Sequence, residues 1–345
     1  MTMQNYSTVA SRNLIRAEMQ MLKMVEAIQV IGKFGDQKQQ PLNKTDTVVY
    51  RRLRPFNANA NETPNIAAAN FITAEGTTPT ANTISYTDVS TTLQQFAVLF
   101  KFSSKSQLMY EDDIPGDMQR LTSQTMAEVA ELVAYGQVKA GTSVIYANGS
   151  GRTSVNSAIN LKSLQKAARA METNRAKHVT TSIAAGPNFN TAPVEASYLV
   201  FYHTDGSSDV RALPGFTKRV EYGSAITPVH PREIGACEEF RFIPSPLFAP
   251  YLAGGSATLN GMASVAGSNV DVYPFIILAE SALGHVSLKG NGYTGISPTI
   301  ISSQVKNHAN PSGMFGFVGA DFWYSCVRLN ENWMTRIECG VSDLA

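Results

Sequence analysis

The sequence predicts an α+β fold organised around one long helix, and three observations carry that reading. A helical apolar pattern runs from Ile114 to Ala140, the longest in the 345 residues. The stretch from 155 to 297 mixes amphipathic helix with short strands, as a separate α/β lobe does. Between 54 and 94 lies an excursion of roughly forty residues that carries too few apolar side chains for a core of its own.

Composition bounds the function classes. Hydrophobic residues make up 43% of the chain. Charged residues make up only 16%, against roughly 25% in average globular domains. With 28 basic and 27 acidic residues the net charge is +1, so the basic excess of a phosphate-neutralising nucleic-acid binder is missing. Low charge on a long chain suggests instead that much surface is spent against other protein. Cys237, Cys326 and Cys339 are too few for a disulfide framework and fit a reducing compartment. Thr2 to Ser11 is polar, and Arg12 and Arg16 interrupt any apolar run, so no signal peptide is read. No apolar stretch approaches a bilayer's thickness. A soluble protein made in the cytoplasm, with no membrane partner, is expected, and the sequons at Asn43 and Asn148 are chance matches.

Taken in order, residues 12–31 form the first helix candidate, with Leu14, Ala17, Met21, Met24, Ile28 and Ile31 on one face. It packs on its own domain or lies as a terminal arm on a neighbouring subunit. A strand follows at Thr47 to Leu53, and its apparent partner is Gln95 to Ser103, where Phe96, Val98, Phe100 and Phe102 alternate with other residues. The intervening excursion is rich in Asn, Thr, Ala and Pro, with anchors at Phe56, Ile66, Phe71, Ile72, Ile84 and Tyr86. It reads as a protruding two-stranded arm whose partners are on another chain, with disorder as the competing reading.

The long helix opens at Asp112 and Asp113, with Asp117 in its first turn near the positive end of the helix dipole. Pro115 is tolerated there because the first amides have no intrahelical partner. Met118, Leu121, Met126, Val129 and Val133 form the expected stripe, widened by Thr125 and Leu132, and Gly141 follows as a stop. At 1.5 Å per residue the helix would be roughly 40 Å long, a spine for the segments on either side.

Leu161 to Lys177 is an amphipathic helix, and strands are read at Tyr198 to His203, Glu238 to Ile243, Tyr273 to Leu278 and Gly284 to Leu288. A short helix opens near Ser208-Asp209 and stops at Pro214-Gly215. The chain ends in YSCVRL, a turn at Asn330-Glu331-Asn332, and WMTRIEC in strict alternation, which predicts a β-hairpin returning to pack on the spine.

No constellation supports catalysis. Gly290-Asn-Gly292-Tyr-Thr-Gly295 matches a dinucleotide fingerprint in form, but Pro298 denies it the helix N-terminus that would hold a pyrophosphate. The five histidines are scattered and no Cys-x-x-Cys occurs, so neither a metal nor a cofactor is expected. Tyr202-His203-Thr204-Asp205 is explained by a strand end and turn, Asp112 and Asp113 by the helix dipole. Basic residues cluster once, at Arg51, Arg52 and Arg54, where a phosphate contact competes with the preferred salt bridge to an acidic patch on a neighbouring subunit. The candidate assembly interface is therefore Arg51, Arg52, Arg54, Phe56, Phe71, Ile72 and Tyr86.

This order of elements, from N-terminal arm to returning hairpin, resembles the major capsid proteins of tailed bacteriophages, whose fold is called the Hong Kong 97 type. Local sequence resembles the branch typified by the N-four podovirus. Three blocks carry it: His230-Pro-Arg-Glu-Ile-Gly235 through Glu239-Phe-Arg-Phe-Ile-Pro-Ser-Pro246; Asp271-Val-Tyr-Pro-Phe-Ile-Ile277; and Asn310-Pro-Ser-Gly313 through Gly319-Ala-Asp-Phe-Trp-Tyr324 to Leu329-Asn-Glu-Asn-Trp-Met-Thr-Arg-Ile-Glu338. The resemblance implies an N-terminal arm at 1–44, an extended loop with its base strands at 45–105, a peripheral domain at 106–154 with 298–345, and an axial domain at 155–297. It implies copies of the chain as hexamers and pentamers closing an icosahedral shell around packaged double-stranded DNA, held without sequence specificity. A portal protein and scaffold or decoration proteins would be further partners, and the product would reside in a virion assembled in the host cytoplasm. Some relatives strengthen the shell through an isopeptide link from a lysine on the extended loop. Here no lysine lies between Lys44 and Lys101, so no such link is expected. The rival within the same fold is an encapsulin-like nanocompartment enclosing an enzyme cargo.

Overall fold

The computed structural model describes residues 29–56, 66–79, 81–110, 112–180, 194–222, 228–290, 299–306, 308 and 310–344. The helix expected at 12–31 and the loop at 291–298 thus lie almost wholly outside the described residues. In chain order the elements begin with β1 (Asp36–Gln40), β2 (Thr47–Leu53), β3 (Tyr86–Thr92), β4 (Gln94–Ser103), α1 (Ser104–Met109) and α2 (Ile114–Lys139). Next come β5 (Val144–Tyr146), α3 (Leu161–Thr173), β6 (Tyr198–His203), α4 (Ser207–Arg211), β7 (Thr217–Lys218), β8 (Gly235–Cys237) and β9 (Phe240–Ser245). The last are β10 (Tyr273–Leu278), β11 (Leu283–Leu288), β12 (Thr299–Ile301), β13 (Phe315–Arg328) and β14 (Met334–Cys339).

The strands make three sheets. The largest runs β5-β14-β10-β6-β9-β8-β7. Its four central strands are buried nearly end to end because both faces are covered, which is why YLVFYH and YPFIIL read as continuous apolar runs. One face, with Leu199, Phe201, Ile243, Ile276 and Leu278, packs toward α2. The other, with Tyr198, Val200, Tyr202, Phe242 and Phe275, packs on Leu164, Ala167 and Met171 of α3. A second sheet is built on the fourteen-residue β13, which pairs with β4 along one side and with β11 and β12 along the other, β1 adding to β11 in parallel. Gly316 on β13 is required by packing: a Cβ there would stand 2.4 Å from the Phe102 ring and 2.6 Å from the Ile301 carbonyl. The third sheet is the two-stranded β2–β3.

α2 starts and ends as expected. Asp113 caps it, its carboxylate accepting the Gly116 amide at 3.3 Å. The predicted stripe holds at Met118, Met126, Val129 and Val133, which are buried or pack against the core, but the fully buried line runs beside it. Thr122, Met126, Ala130, Ala134 and Val138 recur at four-residue steps and face the sheets, while Leu121 and Leu132 point outward at 38% and 46% exposure. Small alanines let the sheets approach the helix closely, and the buried Thr122 hydroxyl is satisfied by the Met118 carbonyl at 2.7 Å. Hydrophobicity alone favoured the leucines; close packing favours the alanines.

Two pairings differ from expectation. Strand 47–53 pairs with β3, not with 95–103, in register from Thr47↔Thr92 to Leu53↔Tyr86. YTDVSTT lacks the alternating apolar residues that mark a strand, so β3 was hidden, whereas the phenylalanine-rich β4 is taken by β13 across ten residue pairs. The C-terminal hairpin does not form either. β13 stays beside α2, the chain turns at Glu331–Trp333, and β14 enters the large sheet between β10 and β5. The alternation of WMTRIEC is real, but its polar face is not solvated. Glu338 is fully buried and its carboxylate takes both Nε and Nη2 of Arg152 at 2.7 Å and Nε of Arg336 at 2.9 Å. Arg336 Nη1 in turn donates to the carbonyls of Gly141, at 3.0 Å, and Lys139, closing the C-terminal end of α2.

Candidate assembly surfaces

The seven candidate interface residues divide between the base and the crown of the excursion. At the base, alternation along β2 sends Tyr50 and Val48 inward against Trp323, Val327 and Val286. Arg51 therefore points outward, and its partner is Asp88, directly across on β3. The pair is bidentate, Nε to Oδ1 and Nη2 to Oδ2 both at 2.8 Å, on an open surface. The guanidinium holds Asp88 below the usual carboxylate range, and the hydrogen bond raises Arg51 in return. The same guanidinium sits 5.7 Å from the Tyr86 ring. The acidic partner of Arg51 is thus on its own hairpin rather than on a neighbour; polar β3 gave no strand signal, so Asp88 was not recognised as its cross-strand neighbour.

Arg52 turns the other way and lines a cavity of about 380 Å³ with Asp36, Tyr50, Lys177, Glu280 and Trp333. Arg54 extends the ladder, its amide donating to the Ser85 carbonyl at 2.9 Å. In the crown, Phe56 and Phe71 come together edge-on at 5.9 Å. Yet Phe71, Ile72, Ile84 and Tyr86 remain 53–82% exposed, as do Leu53 and Ile66 beside them. Among the described residues this is a contiguous set of exposed apolar side chains, a feature that commonly marks interaction surfaces. Sequence pattern missed the outward leucines of α2 and the methionines and leucines at Leu108, Met109 and Met314, which are also exposed.

The chemistry-bearing residues elsewhere are satisfied structurally. Asp205 lies 3.1 Å from Nδ1 of His203 and accepts the Tyr273 hydroxyl at 3.0 Å, while Tyr202 stacks on Phe275 at 4.9 Å with its hydroxyl near Ser207. Burial pushes the Cys237 thiol up to about 11 and Cys326 up to about 12, and lifts Cys339 as well, far from the thiolate a nucleophile needs. Among the described residues no group of three His, Cys, Asp or Glu side chains is placed to hold a metal ion, and no helix is long and apolar enough to cross a membrane.

No family model matches the chain, and neither does any curated protein. Solved structures do. The capsid of Ralstonia phage GP4 superposes with a TM-score of 0.64 at 9% identity, over 97% of this chain and all of that one. The capsid of cyanophage Pam1 gives 0.60 at 10% identity, over 97% and 98%. The SrpI encapsulin of Synechococcus elongatus PCC 7942 gives 0.54 at 11% identity, over 97% and 96%. At such identities the likeness is one of fold, end to end in both directions. The architecture is the Hong Kong 97-type fold.

Proposed function

We propose that the chain is the major capsid protein of a tailed bacteriophage, self-assembling into an icosahedral head shell around double-stranded DNA. The observation that carries this is the pairing of a capsid fold over nearly the whole chain with an excursion whose apolar crown is exposed among the described residues. In this reading the excursion lies on a neighbouring copy, and stability accumulates over many repeated contacts. Copies arrange as hexamers and pentamers, a portal protein and scaffold or decoration proteins complete the head, and assembly takes place in the host cytoplasm. The net charge of +1 suits DNA held by enclosure rather than by phosphate contacts. The proposed division is an arm at 1–44, an extended loop at 45–105, a peripheral domain at 106–154 with 298–345, and an axial domain at 155–297. Entry of β14 into the large sheet hydrogen-bonds the last two of these together. The N-four-like branch rests on the three sequence blocks. The chain is read as structural rather than enzymatic.

Electron microscopy of the purified chain tests the assignment: closed shells of uniform diameter are expected, and a monodisperse monomer at every concentration would overturn it. The encapsulin match favours one second reading, a protein compartment. Nuclease-protected double-stranded DNA inside native shells supports the head; a co-purifying enzyme inside DNA-free shells supports the compartment.

A further inference from the structure

The segment 29–34, where the described chain begins, is held by three titratable side chains from three different parts of the fold. Glu131, in the middle of α2 and 1% exposed, receives the Ile31 amide at 2.8 Å and the Gly32 amide at 3.2 Å. His230 lies against the Gln29 carbonyl, Nε2 to O 3.1 Å. His285, on β11, lies against the Phe34 carbonyl, Nε2 to O 2.6 Å. Val30 and Ile31 are fully buried between them, and the Phe34 ring packs 5.6 Å from Phe201.

The partners dictate the protonation state of each imidazole. A carbonyl only accepts, so Nε2 carries the proton in both rings. The other nitrogen of His230 receives the Arg232 amide at 3.1 Å, and an amide N–H only donates, so Nδ1 must be bare. Nδ1 of His285 stands 2.7 Å from the Tyr324 hydroxyl. A second proton on His230 would set N–H against N–H, beside the cations Lys33 and Arg232. The nearby Glu233 carboxylate is engaged by the Tyr222 hydroxyl at 2.6 Å and the Val229 amide at 2.8 Å. Around His285 stand Tyr324 and Cys326 of β13, Tyr50 of β2, Asp36 of β1, and Glu131 across the cluster.

We propose that His230, His285 and Glu131 form an acid-sensitive clamp on residues 29–34, closed while both imidazoles are neutral and opened when they take up protons. Burial lowers both histidines below their ordinary value, with Lys33 and Arg232 adding to the effect at His230. The sign follows: docking is fully favoured above the free histidine value near 6.5 and weakens as pH falls through it. Each imidazole lowered in the docked state weakens docking once it is protonated. Glu131 works in the opposite sense, since burial raises it and the bonded amides only partly offset that. It is the anchor, and the imidazoles are the sensors.

Hydrogen exchange on the full-length protein tests this at about pH 7.5 and about pH 5.5, each rate corrected for its intrinsic pH dependence. Protection of the Ile31 and Gly32 amides should fall at least about tenfold at the lower pH, while amides of β10 keep theirs. In the variant H230Q/H285Q each glutamine can donate to the carbonyl and accept from the amide or hydroxyl without titrating, so that fall should vanish. Unchanged protection in the wild-type protein, an equal loss in β10, or a double variant that responds like wild type would each overturn the clamp. Should the double variant be unprotected throughout, the His230 ring signals of the wild-type protein decide: titration in the same pH range as the loss supports the clamp, and titration elsewhere refutes it.

Discussion

The seven-stranded sheet and the two-stranded β2–β3 sheet represent opposite solutions to the same problem. In the first, every residue of β9, β10 and β14 is buried, and even the buried Glu338 and Arg336 are ion-paired, with the partly exposed Arg152 as the second cation. In the second, one face covers Trp323 and Val327 while the other offers Val49, Leu53 and Tyr86 to solvent beside an exposed ion pair. One region completes itself within the chain; the other, in the proposed reading, is half of a surface. The difference teaches where stability and assembly reside: a perturbation of the large sheet should unfold the chain, and one on the excursion should leave it folded but alone.

The comparison is tested most severely at Phe201, fully buried against Phe34 and the α2 core. Phe201→Ala should cost about 3–5 kcal/mol in denaturant unfolding of the unassembled chain. Glu338→Ala should follow at a similar or slightly lower cost, about 3–5 kcal/mol, because it leaves Arg152 and Arg336 facing each other without their anion. A near-neutral result at either site would mean that the large sheet is not the stable half. On the excursion, Phe71→Ser with Ile72→Ser should stay within about 0.5 kcal/mol of wild type in the same assay. Shell formation in sedimentation should nevertheless be lost. Shells that still form would remove the crown from the interface.

Much of this was legible in sequence, and the failures share one cause. Buried strands such as β6 and β10 were readable because both-face burial writes a continuous apolar run. α2 was readable from its caps and length. Conspicuous residues of the first and third sequence blocks turn out to be internal fixings. His230 and Glu233 are buried, and Asn310 is a turn brace whose amide donates to the Phe315 carbonyl at 2.7 Å while its carbonyl accepts the Met314 amide at 2.8 Å. What misled was polarity. β3 and β1 are strands without apolar alternation because they lie at exposed positions, and the polar face of β14 is buried because its charges satisfy one another. Glu131 likewise reads as a solvated helix residue, since nothing local reveals that the segment 29–34 brings its amides there from about a hundred residues away.

The smallest effect is expected at Arg51, and there the comparison can be sharpened. Its bidentate bond to Asp88 is geometrically as good as the one from Arg152 to Glu338, with distances of 2.8 Å and 2.7 Å. Geometry alone would rank the two alike. Their surroundings differ: Arg51 and Asp88 are 65% and 44% exposed, whereas the Glu338 carboxylate is sealed. Water screens the first pair and offers each partner an alternative when the other is removed, while at the sealed Glu338 only Arg336 would remain to face the carboxylate if Arg152 were lost. Arg51→Ala should therefore leave the unfolding midpoint of the unassembled chain unchanged at any salt concentration. In the assembled shell the same pair is expected to lie under a neighbour, away from bulk water, so the substitution should lower shell stability there and add a salt dependence the free chain lacks. Parallel denaturation of free chain and shell measures both. A midpoint shift of equal size in the two would mean that the base of the excursion is not covered on assembly.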